Sequence, residues 1–120
     1  MKSNDELIRH LCTDVFKRMN ADELIAYFSE DAVYHNVPLR PLNGISEIYA
    51  SLKGLPQRFE AIEVEILHQI AAGDMVMNER VDYFRRAGRT ISLPIAGFFL
   101  LSQGKIKVWR DYFDLETFKS

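Results

Sequence analysis

The hydrophobic pattern changes period near the middle of the chain, and this change constrains the fold more than any other feature. In the first half, apolar residues recur at the spacing of a helix face. In the second half they alternate with polar residues, most clearly over residues 62–66, as in strands with one exposed face. Helices first and strands second predict an α+β fold.

Capping signals mark the beginnings of two helices. Ser3 is followed three residues later by Glu6, which is the spacing of a capping box, and Asn20 offers a second N-cap. A third helix is predicted over residues 45–52. Residues 31–36 between the second and third helices fit a short strand that enters a proline-containing loop.

Short turns separate long alternating segments in the second half. Residues 75–86, 89–101 and 105–114 follow turns that contain glycine, so these strands are predicted to form an antiparallel meander. Pro94 and Gly97 predict a bulge or sharp bend that curves the sheet. We expect a cone-shaped, curved and mostly antiparallel sheet with the N-terminal helices packed on it, leaving a hollow interior.

Composition narrows the classes of function. A chain of 120 residues suits one core, so we expect a single domain over residues 1–120. The formal charge of −2 provides no basic surface for nucleic acid or membrane lipid. One cysteine, Cys12, excludes an internal disulfide and a thiolate zinc cluster. Since neither a signal peptide nor a run of about 18 apolar residues is present, we expect a cytoplasmic protein.

Three charged residues are predicted to face the core from two strands. Arg80 and Asp82 share one face because side chains alternate along a strand. Asp111 lies between Trp109 and Phe113 on one face of the last strand. A buried carboxylate needs a charge partner, hydrogen bonds or a proton. An Arg-x-Asp pair is most often a surface ion pair, so these residues alone do not specify a site.

A polar segment follows the short strand and adds a third element. Tyr34 and Asn36 stand two residues apart, so a phenol and a carboxamide point the same way and can hold a water molecule. His35 points the other way, and we interpret it as structural or as lining the mouth of a pocket.

Three stretches together resemble the limonene-1,2-epoxide hydrolase family: Tyr34-His35-Asn36-Val37-Pro38, Asn78-Glu79-Arg80-Val81-Asp82 and Trp109-Arg110-Asp111-Tyr112-Phe113-Asp114. Their order, spacing and flanking helices match that family over nearly the whole chain. The resemblance implies a nuclear-transport-factor-2-like, or SnoaL-like, fold. It also implies a homodimer and an enzyme that uses neither a metal nor an organic cofactor.

The resemblance further implies an Asp–Arg–Asp catalytic triad. Asp82 is then the general acid that protonates the epoxide oxygen, and Asp111 the general base that takes a proton from the attacking water. Arg80 holds both carboxylates, while Tyr34 and Asn36 position the water. These residue types suit the reaction, because two neighbouring carboxyl groups in a dry pocket share one proton.

The substrate implied is a small apolar epoxide, terpene-like or cyclic, with water as the second reactant. Such a substrate needs an apolar cavity with few polar groups. The candidate substrate-binding residues are Phe84, Trp109, Phe113, Leu39, Ile95 and Phe99.

Three other features are interpreted as structural. The basic segment Arg85-Arg86-Ala87-Gly88-Arg89 is typical of a solvated hairpin tip. The three histidines are scattered and do not predict a metal site. Cys12 lies on an apolar helix face and is predicted to be a buried thiol.

Two alternatives to the hydrolase stay open. The first is a ketosteroid-isomerase-like or polyketide-cyclase-like enzyme on the same fold, with an aspartate as a base beside a carbonyl. The second is a non-enzymatic small-molecule-binding or dimerisation module, since fold alone does not specify function. This second alternative predicts that Asp82, Arg80 and Asp111 do not meet in space.

Overall fold

A six-stranded sheet organises the protein, whose computed structural model describes residues 2–119. In the sheet the strands are ordered β2-β1-β6-β5-β4-β3. Helices and a mostly antiparallel sheet confirm the predicted fold class. The strands in chain order are β1 (Phe28–Asn36), β2 (Leu42–Asn43), β3 (Ala61–Ala72), β4 (Met75–Arg86), β5 (Arg89–Ser102) and β6 (Lys105–Tyr112).

Tight turns build the antiparallel part of the sheet. Each strand from β3 to β6 pairs with the next in antiparallel orientation, which confirms the meander. Ala87 and Gly88 have φ values of 52° and 73°, and Gln103 and Gly104 have values of 51° and 75°. Two consecutive positive φ values make a type I′ turn, whose twist matches that of the flanking strands.

Strand β1 joins the sheet by a pairing that the sequence does not predict. It begins at Phe28, earlier than expected, and runs parallel to β6. In this register Tyr34 lies opposite Trp109, and Asn36 lies opposite Asp111. The polar end of β1 is thereby brought against the last strand.

Helices pack on one face of the sheet, here called the inner face; the opposite face is called the outer face. The first helix and its continuation pack on β3, and the third helix packs on β1. Their apolar residues join those of the sheet in one core. The helices are α1 (Asn4–His10), α2 (Ala21–Ile25), α3 (Gly44–Lys53), α4 (Leu55–Arg58) and α5 (Leu115–Lys119).

The predicted capping residues begin the first two helices. The backbone N–H of Glu6 donates to Ser3 Oγ at 3.1 Å, and the Ser3 N–H donates to Glu6 Oε1 at 3.0 Å. Asn20 Oδ1 accepts from the Glu23 N–H at 3.0 Å. Beyond α1 the chain continues as a π-helical turn and a 3₁₀ turn, and the short helices α4 and α5 were not predicted.

The predicted bulge at Pro94 and Gly97 is wrong. Strands β4 and β5 pair without a register shift past both residues. The shifts lie elsewhere, between Ile66 and His68 in the β3–β4 pairing and between Leu100 and Leu101 in the β5–β6 pairing. Gly97 has a different role, which the site explains.

No helix in the described part of the chain has the length and apolar character needed to cross a membrane. The cytoplasmic location expected from the sequence stays a prediction.

Candidate active site

The inner faces of β4 and β6 carry three charged side chains into the interior. Arg80 is 2% exposed, Asp82 6% and Asp111 3%, although all three are ionisable. Alternation along β4 places Arg80 and Asp82 on the inner face, and β6 contributes Asp111 from the other side of β5. The structure therefore brings the predicted triad together in a buried position.

Every nitrogen of the Arg80 guanidinium donates a hydrogen bond. Nε donates to Asp82 Oδ1 at 3.0 Å, and Nη2 donates to Asp111 Oδ2 at 2.5 Å. Nη1 donates to Asn78 Oδ1 at 3.0 Å. Burial alone would lower the pKa of Arg80, but attraction by Asp111 and Asp82 holds it well above its ordinary value. Arg80 therefore keeps its charge and fixes the positions of both carboxyl groups.

The two carboxyl groups have different surroundings. Asp111 accepts a second hydrogen bond, from Trp109 Nε1 to Oδ1 at 2.7 Å, so each of its two oxygens has a donor. Asp82 accepts from Arg80 only, and its Oδ2 has no hydrogen-bond partner within residues 2–119. Burial raises the pKa of Asp82 to about 6 even though the charge of Arg80 opposes the shift. Asp82 therefore holds a proton more readily than an ordinary aspartate does.

Tyr34 and Asn36 present free polar groups beside Asp111. Both line the same cavity as the triad, and neither side chain has a hydrogen-bond partner among the described residues. The Tyr34 ring stacks on Trp109 with 4.6 Å between ring centroids, and burial raises the pKa of its phenol. His35 lies outside the cavity, with Nε2 at 2.9 Å from the Leu39 carbonyl oxygen. This arrangement can hold a water molecule against Asp111.

An apolar cavity of about 290 Å³ opens above the triad. Five of the six predicted substrate-binding residues line it: Phe84, Trp109, Phe113, Leu39 and Ile95. Phe99 was placed there wrongly. It is fully buried and packs against Trp109 at 4.9 Å between ring centroids, so its ring belongs to the core below the cavity.

Much of the cavity wall comes from residues that strand alternation does not predict. Helices α3, α4 and α5 contribute residues to this wall, and only tertiary packing places them there. The lining residues not predicted include Phe16, Leu42, Leu52, Leu55, Phe59, Val64, Leu93, Leu115 and Phe118.

Arg86 corrects the interpretation of the basic hairpin. The whole basic segment was predicted to be a solvated hairpin tip, but Arg86, at the end of β4, lines the cavity. Alternation along β4 predicts this position, because Arg86 lies on the same face of the strand as Arg80, Asp82 and Phe84.

Cys12 also lines the cavity, and burial raises the pKa of its thiol to about 12, which agrees with the predicted buried thiol.

A chain of amides extends from Arg80 to the protein surface. Asn78 Nδ2 donates to Gln69 Oε1 at 3.0 Å. Gln69 Nε2 donates to the backbone oxygen and the carboxylate of Asp5, each at 3.0 Å. Asp5 offers only acceptors here, so the amide group of Gln69 must point its nitrogen outward and its oxygen toward Asn78. Asn78 in turn must present oxygen to Arg80.

Gly97 leaves the space that the Arg80 guanidinium occupies. A Cβ at this position would lie 2.8 Å from Asn78 Oδ1 and 3.1 Å from Asp111 Oδ1, and still closer to Arg80 Nη1. The glycine therefore allows the side chains of β4 and β6 to meet across β5. Within residues 2–119, the His, Cys, Asp and Glu side chains form no group of three or more that could hold a metal ion.

Comparisons with known proteins identify the family of this chain. The family model for the limonene-1,2-epoxide hydrolase catalytic domain matches residues 8–120. The chain is 33% identical over 95 residues to epoxide hydrolase EphG of Mycobacterium tuberculosis, an alignment that covers 78% of this chain. That alignment covers 62% of the relative, so the chain spans about three-fifths of the relative's length.

Solved structures match the whole fold. A limonene-epoxide-hydrolase-like epoxide hydrolase of M. tuberculosis superposes with a TM-score of 0.84 and 27% identity, covering 96% of this chain and 86% of that one. A protein with a ketosteroid isomerase-like fold from Catenulispora acidiphila has a TM-score of 0.84 at 20% identity, covering 96% and 90%, and shows the fold alone. The family model and the curated relative together establish that this chain belongs to the limonene-1,2-epoxide hydrolase catalytic domain family.

Proposed function

We propose that the protein is an epoxide hydrolase, which adds water to an apolar epoxide and releases a vicinal diol. The observation that carries the proposal is the guanidinium of Arg80 between two buried carboxyl groups in an apolar cavity. Membership in the family and the name of the M. tuberculosis relative support the same reaction.

Asp82 serves as the general acid. Opening an epoxide releases an alkoxide, which is a poor leaving group, so the reaction benefits from a proton donor at the epoxide oxygen. A carboxyl group with a pKa of about 6 keeps its proton in roughly one molecule in ten at pH 7, far more often than one with the ordinary pKa of 3.8. Its unbonded Oδ2 lines the cavity and can reach the substrate oxygen.

Asp111 serves as the general base in a single step. It takes a proton from the water held by Tyr34 and Asn36 while the water oxygen bonds to an epoxide carbon. The carbon–oxygen bond of the ring breaks as Asp82 gives its proton to the leaving oxygen. The site is reset when the proton on Asp111 returns to Asp82.

Diol formation on a panel of cyclic and terpene epoxides tests the reaction. Replacing the acid in Asp82→Asn, or the base in Asp111→Asn, is expected to lower kcat by roughly 10²–10⁴. Asp74→Asn, in the exposed turn between β3 and β4, is the matched control and should keep full activity. Circular dichroism checks that each variant is folded. Full activity in either site variant would exclude a catalytic role for the triad, even if the wild type converted epoxides to diols.

The source of the diol oxygen tests the one-step mechanism. In a single turnover in ¹⁸O-labelled water, direct attack by water places the label in the diol. A carboxylate that attacked carbon would give an ester, and its hydrolysis would leave the label in the protein. Label found first in the protein would contradict the mechanism.

The isomerase-like or cyclase-like alternative should be tested on the same wild-type and variant proteins, because a protein with the ketosteroid isomerase-like fold superposes on this chain. Such an enzyme would give a rearranged ketone from a ketone, and it would not need Arg80 to bridge two carboxyl groups. The meeting of Asp82, Arg80 and Asp111 argues against the non-enzymatic module.

We further propose a homodimer that forms through the outer face. Large apolar side chains there are half exposed or more, including Ile70 at 71% and Met77 at 50%. They adjoin a shallow depression lined by Leu67, Val81 and Pro94. Light scattering should give the mass of two chains for the wild type and of one chain for Met77→Glu. Gln57→Glu on the exposed α4 is the control, and a monomeric wild type would contradict the proposal.

A further inference from the structure

Three arginines stand at the opening of the cavity and are here called the rim: Arg40, Arg58 and Arg86. All three are exposed, whereas the carboxylates that line the cavity, Asp82 and Asp111, are buried and bonded to Arg80. The rim is therefore positively charged, in a chain whose formal net charge is −2. An apolar cavity with a cationic opening differs from what an apolar substrate alone requires.

None of the rim arginines forms an ion pair within the described part of the chain. Exposed arginines elsewhere in the protein do: Arg9 pairs with Asp5, and Arg18 pairs with Glu23. The charges of the rim are thus left available to a ligand.

Aromatic rings and a backbone oxygen hold two of the rim guanidinium groups in place. The guanidinium carbon of Arg86 lies 6.0 Å from the centroid of the Phe59 ring and 5.5 Å from that of Phe118. Arg58 lies 6.0 Å from the same Phe59 ring, and its Nη2 donates to the Ser51 carbonyl oxygen at 3.2 Å. Ordered guanidinium groups lose less freedom when they bind a carboxylate.

Arg86 of the rim and Asp82 of the triad lie on the same face of β4. Arg86 is four residues beyond Asp82 on the inner side of β4, which corresponds to about 13 Å along the strand. Phe84 lies between them and lines the cavity. A ligand that reaches from Asp82 to Arg86 must therefore have an apolar middle.

We infer that the substrate carries an anionic group at the end away from its epoxide, and that Arg58 and Arg86 bind this group while the apolar part fills the cavity. The inference rests on the proposed hydrolase function and narrows its substrate class to amphiphilic epoxides. Arg40 adds to the positive potential at the same opening.

Matched substrates test the inference. Terminal epoxides with a carboxylate on a saturated chain of increasing length are each compared with the corresponding primary amide. The wild type is expected to prefer the acid about tenfold in kcat/KM at the best chain length, and higher ionic strength should reduce this preference. Arg58→Gln and Arg86→Gln should each lower the acid-to-amide ratio about fivefold, and the double variant should bring it near one.

Arg85→Gln is the matched control, because Arg85 is the neighbour of Arg86 in β4, lies outside the cavity and donates to Thr90 Oγ1. Its ratio should equal that of the wild type. A ratio near one in the wild type, or a ratio that both rim variants leave unchanged, would overturn the inference.

A binding experiment separates this inference from the hydrolase proposal. Calorimetry compares saturated carboxylates, which have no epoxide, with their amides. If no epoxide is opened but carboxylates bind more tightly than amides, and the rim variants remove the difference, the hydrolase proposal fails and the rim site stands. Equal binding of acid and amide would overturn the rim site whatever the activity.

Discussion

The two faces of β4 reverse the usual distribution of polar and apolar residues. On the inner face Asn78, Arg80 and Asp82 are 5%, 2% and 6% exposed, whereas on the outer face Met75 and Met77 are 47% and 50% exposed. Core-facing positions normally hold apolar side chains. In our proposal, this strand is arranged around an active site on one side and around a second copy of the chain on the other.

Burial of the polar face is tolerated because its groups satisfy one another. Across residues 2–119, every side-chain nitrogen or oxygen atom that solvent cannot reach has a hydrogen-bond partner, and the unpaired oxygens of Asp82 and Tyr34 stay accessible from the cavity. If one group of this network lost its partner, the buried group left unpaired would cost several kcal/mol of folding free energy. Each member therefore depends on the others. Changes on the inner face should therefore have large effects, and their outer-face counterparts small ones.

Gly97→Ala should produce the largest loss. The added Cβ would overlap Arg80 Nη1 and crowd Asn78 Oδ1, so the guanidinium must leave its position between the carboxylates. We expect kcat/KM for an epoxide to fall more than about a hundredfold, since misplaced catalytic groups lose most of their effect. Ala96→Ser adds one atom at the adjacent outer-face position and should retain activity. An active Gly97→Ala enzyme would show that Arg80 does not need its present position.

Replacing the two aspartates should shift stability in opposite directions. Asn at position 111 would turn an amide N–H toward Arg80 or Trp109 and remove the charge that compensates Arg80. Asp111→Asn should therefore lower the free energy of unfolding by about 3–5 kcal/mol. Asp82→Asn should raise it at pH 8 by on the order of 2 kcal/mol, because a neutral amide replaces a buried charge. Urea unfolding measures both, and equal destabilisation would contradict the different surroundings of the two carboxyl groups.

The pH dependence of stability should show the same asymmetry. The pKa of Asp82 is raised from 3.8 to about 6 on folding, so the folded state binds the proton more tightly than the unfolded state does. This contribution to stability is complete below about pH 4 and is lost as the pH rises through about 6, in total on the order of 2–3 kcal/mol. The difference in unfolding free energy between wild type and Asp82→Asn should follow this window. A difference that does not vary between pH 4 and pH 7 would contradict the raised pKa.

Gln69→Leu should have the smallest effect, because Gln69 acts on Arg80 only through Asn78. Without the acceptor at Gln69, Asn78 can turn its N–H toward the guanidinium and weaken the position of Arg80. We expect kcat to fall about fivefold with little change in KM, because Gln69 does not line the cavity. His68→Leu, on the outer side of β3, is the control. A change in KM alone would contradict the positioning role.

The inner-face residues of β4 could be predicted because strand alternation is a property of the backbone itself. The same alternation continues past Phe84 to the end of the strand, so it also places Arg86 on the cavity side of β4. The helix caps at Ser3 and Asn20 were predictable for a similar reason, since a cap involves residues only three positions apart.

Other features depended on contacts between distant parts of the chain. Trp109 was expected to face the substrate, and it does line the cavity, but its Nε1 is used to hold Asp111. Phe99 was predicted from its strand position as a cavity residue, yet its ring is buried in the core against Trp109. The roles of Asp82, Arg80, Asp111, Tyr34 and Asn36 in catalysis stay predictions until the variants are measured.

The sequence by itself determined the order of helices and strands, the turns of the meander and the side of each strand on which the charged residues stand. These features follow from backbone geometry and from interactions over a few residues. Tertiary structure alone decided the parallel pairing of β1 with β6, the need for Gly97 and the closure of the cavity by α5. Each of these depends on which surfaces come together on folding, and burial of apolar area is not directional enough to be read from local spacing.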